Sequence, residues 1–148
     1  LDWWQSRPSE LANTVHYPFS ASQAEWSDSI LKLSQLLIEG FQVAGLRARL
    51  TKAGITFEKD WGSLKLLMEL AKSNSDEATS TKLLKPLREL QELRSKVIGH
   101  AVGSDKKKKL IDTAMQKHGS LYKHFESLSS DCNRALEQIV AMLSASVP

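Results

Sequence analysis

A single cysteine, Cys132, stands in these 148 residues, so no internal disulfide can form. The composition fits a reducing compartment or simply an absence of disulfide demand, and a cytoplasmic location is the expectation. No apolar run approaches the roughly 18 residues of a membrane span, and no charged-then-apolar signal opens the chain. The first residue is Leu1 rather than Met, which reads as a piece of something longer. Charge of neither sign dominates. A net charge of +3 permits contact with nucleic acid without arguing for it, because dedicated binders concentrate positive charge on one face. Strand alternation is missing too: only Val15 to Phe19 has that look, and it is short and holds Pro18. There is no glycine-rich phosphate loop, no serine–histidine–aspartate order and no paired-carboxylate constellation. The common enzyme classes therefore find no support.

What remains is helical periodicity in a chain long enough to bury a core as one domain. Residues 1–20 hold Trp3, Trp4, Tyr17 and Phe19 with two prolines and no helical period, so an extended N-terminal arm is expected there, packed on the domain or on a neighbour. Residues 21–148 then form the bundle. A first helix starts near Ser20 or Ser22, either a good cap, and carries Trp26, Ile30, Leu33, Leu37 and Phe41 at spacings of four, three, four and four. Gly40 and Gly45 weaken its far end, Leu46 to Leu50 continue it or begin a separate turn, and Gly54 marks the exit. After a connector over Thr56 to Gly62, Ser63 caps a short helix from Leu64 to Ala71. A polar loop covers Ser73 to Thr81, and a further helix runs from Leu83 to Ile98 with Pro86 near its start. Leu110 to Met115 follow. The last helix shows Leu121, Phe125, Leu128, Cys132, Leu136, Ile139 and Leu143, an almost unbroken three-four alternation. The expected fold class is all-α, a four- to five-helix up-and-down bundle.

One helix carries an anomaly. With about 100° per residue and Leu83 at zero, Leu87, Leu90, Val97, Ile98 and Ala101 fall within about 60° of that direction, and Arg94 lands near 20°. A guanidinium stays charged at ordinary pH and is costly to bury unpaired. Arg94 therefore needs a reason, and a bridge to a glutamate on a neighbouring helix, such as Glu69 or Glu137, would supply one. His100 follows where the helix stops, beside Gly99, and an imidazole there also suits the negative end of the helix dipole.

Leu87-x2-Leu90-x2-Leu93-Arg94-Ser95-x4-His100 resembles the signature of HEPN domains, helical bundles marked by arginine, four to six residues, then histidine. The Gly62-Ser63-Leu64 opening and the long final amphipathic helix are similar to that family as well, and the likeness covers most of Ser20 to Leu143. The resemblance implies a homodimer in which two such segments face each other, and metal-independent cleavage of RNA by attack of a ribose 2′-hydroxyl on the adjacent phosphate. It further implies a toxin or defence role. Arg94 would hold the phosphate and His100 would move the proton. Ser95 stands where active members often carry asparagine, aspartate or histidine, and it would serve as a weaker orienting group. No cofactor and no metal are implied. The alternative is a catalytically inactive HEPN-like module that pairs with itself or with a partner such as a nucleotidyltransferase-type antitoxin. In a continuous helix Arg94 and His100 point about 120° apart and sit about 9 Å apart along the axis, so a two-fold pair would bring both types together.

Two other features bear on function. Lys106, Lys107, Lys108 and Lys109 form the one dense charge run, placed after Ser104 or Asp105 in a first helical turn where cations oppose the dipole. The run is a candidate RNA-backbone contact or a solvated loop. His118 and His124, with five residues between them, do not share a helical face, so a zinc site is not expected.

Overall fold

The computed structural model describes residues 1–5, 9–18, 22–98 and 104–145. Seven helices occur among them: α1 (Ser9–Thr14), α2 (Gln23–Leu37), α3 (Val43–Lys52), α4 (Ser63–Asn74), α5 (Glu77–Ile98), α6 (Ser104–His118) and α7 (Leu121–Ala145). No strand forms among the described residues, and the all-α class holds. Nor is any of these helices long and apolar enough to cross a membrane.

α5 is the hub. It packs against α2, α4, α6 and α7, and presents Ser80, Leu84, Leu87, Leu90 and Leu93 to the interior. α7 answers with Leu121, Phe125, Leu128, Cys132, Ala135, Ile139 and Leu143. A stripe about 100° wide on each helix, facing a stripe on the next, is what buries a common core. α6 and α7 are joined only by Gly119 and Ser120, so they fold back on each other; Gly119 takes φ +79° and its N–H caps α6 at Met115 O, 2.8 Å.

Helix boundaries follow local chemistry. Ser22 caps α2, its hydroxyl accepting from Glu25 N at 3.4 Å. Ser63, expected as a cap, is instead the first helical residue of α4, and Gly62 takes the cap position without a side-chain bond. The expected polar loop over 73–81 shrinks to Ser75 and Asp76. Asp76 accepts from Thr79 N at 2.9 Å and from its hydroxyl at 2.6 Å, which starts α5 six residues before Leu83. Pro86 consequently lies in the helix interior rather than near its start.

The N-terminal arm is part of the domain. Trp3 is 2 % exposed and stacks on Phe41, ring centroids 6.2 Å apart. Backbone bonds Gln5 N to Gly40 O (2.9 Å) and Gln42 N to Trp3 O (2.8 Å) lay the arm along the α2–α3 link. That approach explains the two glycines there. A Cβ on Gly40 would sit 2.5 Å from the Trp4 indole nitrogen, and one on Gly45 would sit 1.9 Å from Asp2 O. Arg49 of α3 fastens the arm: it donates to both carboxylate oxygens of Asp2 (3.0 and 2.9 Å) and to Leu143 O of α7 (2.8 Å). The arm is not wholly extended, since α1 forms within it and lies beside α2.

Candidate functional site

Arg94 occupies the stripe of α5 one turn beyond fully buried Leu90. Its side chain is 37 % exposed, and Nη2 meets Glu39 Oε1 at 2.7 Å. The stem follows the apolar face while the guanidinium reaches the edge, which lets an arginine ride a buried stripe without losing its charge partner. Glu39 lies in the turn that ends α2. The two glutamates expected as partners are engaged elsewhere. Glu69 pairs with Lys65 (3.0 Å) and Lys72 (3.7 Å), and the hydrogen bond from Lys65 holds its carboxyl below the usual range. Glu137 accepts from Asn133 at 2.9 Å.

Ser95 is exposed, and its hydroxyl donates to Gln91 O at 3.0 Å, one turn back on its own helix. It stands about 100° around the helix from Arg94. His100 and the neighbouring glycines and alanine lie outside the described residues. Lys106, Lys108 and Lys109 are exposed and Lys107 is half-buried at the start of α6. Four consecutive helical positions spread about 100° apart, so the run rings the helix end instead of forming one stripe. A groove of about 430 Å³ between α5 and α6 is lined by Lys85, Arg88, Glu89, Glu92, Leu93 and Leu110, with charge of both signs.

A second constellation was not anticipated. His124 lies on the core stripe of α7, 5 % exposed, and its Nδ1 accepts from the Trp26 indole N–H at 3.2 Å. The turn at Gly119 brings His118, the last residue of α6, to within 5.0 Å of it, rings nearly perpendicular. Glu89 of α5 places Oε1 4.0 Å from His124 Nε2. These groups, with Lys117 and Asp131, line a cavity of about 140 Å³. Burial, helped by the nearby charges of His118 and Lys117, pushes the His124 pKa down to about 4, so the ring is neutral at pH 7. The two histidines do not share a face of one helix. They meet across a turn between two helices, a juxtaposition that position within one helix does not report. The available signal was His124 itself, three residues after Leu121 and one before Phe125, inside the apolar stripe.

Cys132 is fully buried, and burial pushes its thiol up to about 12, so it packs as an apolar group and offers no nucleophile. Among the described residues no three His, Cys, Asp or Glu side chains are arranged to hold a metal ion. No family model, curated protein or solved structure matches the chain.

Proposed function

We propose that this chain is a HEPN-like, RNA-binding bundle that acts as a homodimer and cleaves RNA without metal, in the manner of toxin or defence ribonucleases. The observation that supports this reading is Arg94: a guanidinium delivered to the rim by an apolar helix stripe, more than a third exposed, and neutralised by a carboxylate that a phosphate can replace. In that exchange Arg94 grips two phosphate oxygens and stabilises the charge that develops on them, and Glu39 is released. His100 is the proton-transfer group. The 2′-hydroxyl oxygen bonds to phosphorus, the 5′-oxygen leaves with a proton, and a cyclic phosphate and a free hydroxyl result. Lys106 to Lys109 and the basic groups of the α5–α6 groove hold the flanking backbone.

The deciding experiment is RNA cleavage by the purified chain in EDTA. Cleavage that leaves cyclic phosphate ends and is abolished in both Arg94→Ala and His100→Ala supports the reading. Sedimentation of the same samples tests the homodimer.

A second reading draws on the same ion pair. With Arg94 already matched by Glu39 and the Ser95 hydroxyl bonded to its own helix, the bundle suits a catalytically silent module that pairs with itself or binds a partner, for instance a nucleotidyltransferase-type antitoxin. On that reading no variant cleaves RNA, and Arg94→Ala changes association instead.

A further inference from the structure

The cavity between α5, α6 and α7 has a floor whose hydrogen-bonding character is determined by its partners. The Trp26 indole nitrogen can only donate. Since it donates to His124 Nδ1, that nitrogen must be the bare one, and the ring proton of neutral His124 sits on Nε2. Nε2 faces the side of the cavity that holds Glu89, whose nearest oxygen at 4.0 Å is beyond hydrogen-bonding distance. The imidazole N–H thus opens on the cavity, flanked by an acceptor it does not reach. An occupant that brings an acceptor to the cavity can take up this donor.

The walls narrow the choice. Glu89 offers a carboxylate from α5. Asp131 offers a second from α7, one of its oxygens being held by Arg134. Lys117, His118 and the Ser127 hydroxyl complete the polar lining, so the mouth is not purely anionic. The complementary ligand presents one acceptor beside two N–H donors. A guanidinium or ammonium has donors but no acceptor. The uracil edge has one donor between two acceptors, and the second of these would meet a carboxylate. Guanine presents O6 next to N1–H and N2–H, one acceptor beside two donors. The size agrees: a cavity near 150 Å³ accepts one six-membered ring, so about 140 Å³ admits the Watson–Crick half of a purine and leaves its sugar outside.

We propose that this cavity is a base-reading pocket that takes the Watson–Crick edge of guanine from single-stranded RNA, with His124 Nε2 donating to O6 and Glu89 and Asp131 accepting from N1 and N2. The proposal rests on the RNA-binding reading above and adds a base preference to it. The pocket lies on a different side of α5 from Arg94, since Glu89 and Arg94 stand about 140° apart around that helix. A base read here and a phosphate held there belong to separate nucleotides.

The test uses 5′-GMP, IMP, AMP, UMP and CMP with the whole chain, following Trp26 indole and histidine ring signals by NMR. GMP should perturb Trp26 and bind more tightly than AMP, UMP or CMP. IMP, lacking the N2 amine, should bind several-fold more weakly than GMP. Glu89→Gln, at a side chain 42 % exposed, should leave the fold intact and weaken GMP by about ten- to a hundredfold. Equal binding of all five nucleotides, binding of none, or GMP binding unaffected by Glu89→Gln overturns the pocket. These outcomes are independent of catalysis. Guanine-selective binding without RNA cleavage supports the pocket and sinks the ribonuclease reading, while cleavage without base discrimination does the reverse.

Discussion

Trp26 and His124 are joined by a buried N–H···N bond of 3.2 Å that spans α2 and α7 and sets the histidine in its neutral state. Protonating Nδ1 would set two hydrogens against each other. The charges around the ring differ in sign: Glu89 on α5 and Asp131 on α7 favour a proton, while Lys117 and His118 on α6 oppose it. Burial outweighs all of them.

A pH dependence of stability follows. His124 titrates at about 4 in the folded chain against 6.5 ordinarily, so the unfolded state takes up the extra proton. Stability is full above pH 6.5, falls as pH drops through that value, and stops falling from this source near pH 4. The loss should reach roughly 3 kcal/mol, at 1.36 kcal/mol per unit of pKa difference. Urea unfolding at pH 7.0, 5.5 and 4.5 measures it, and His124→Gln should flatten the slope. A wild-type curve flat across that range would contradict a neutral buried imidazole.

The arm supplies a second prediction. Trp3 is almost wholly buried, so Trp3→Ala should cost about 3–5 kcal/mol. Gly45→Ala removes nothing from the core, yet its new methyl would collide with the backbone of Asp2 and push the arm away. It should therefore destabilise the fold toward the same extent and open residues 1–18 to limited proteolysis. Full stability of Gly45→Ala would mean that the arm is not seated as described.

Those two sites mark where the sequence is readable and where it stops. The stripe of α7 and the burial of Leu84, Leu87 and Leu90 are legible, because helical period alone decides which side chains face inward. Gly40 and Gly45 read as helix weakeners, since only the docked arm reveals the space they leave for it. Arg94 is readable as an anomaly, but its partner is not. Glu39 sits in a turn 55 positions earlier, and no spacing rule joins the two. The His118–His124–Glu89 cavity lies further still from view, since it depends on three helices meeting around one turn.

Pro86 offers a gain in place of a loss. It occupies the interior of α5, nine positions after Glu77, where it removes the bond to Lys82 O and crowds that carbonyl. Pro86→Ala should stabilise the chain by about 1–3 kcal/mol in thermal or urea unfolding. No gain, or a loss, would mean that a bend at Pro86 is required for α5 to meet α2 and α7 together.

The Arg94–Glu39 pair sets the control on which the functional tests depend. Both side chains are partly exposed, at 37 % and 28 %, so water screens the attraction and the pair should contribute no more than about 1 kcal/mol to folding. Arg94→Ala and Glu39→Gln should each unfold within about 1 kcal/mol of the parent chain in urea. Their effects on RNA should be opposite. Arg94→Ala removes a phosphate contact, which weakens binding and lowers the slope of log affinity against log salt by about one. Glu39→Gln removes the competitor for the guanidinium and should tighten RNA binding several-fold at low salt. If both substitutions weaken RNA binding alike, Glu39 is positioning Arg94 for the phosphate instead of competing with it. If neither alters binding, the guanidinium serves the fold alone, and the phosphate-binding role assigned to Arg94 is wrong.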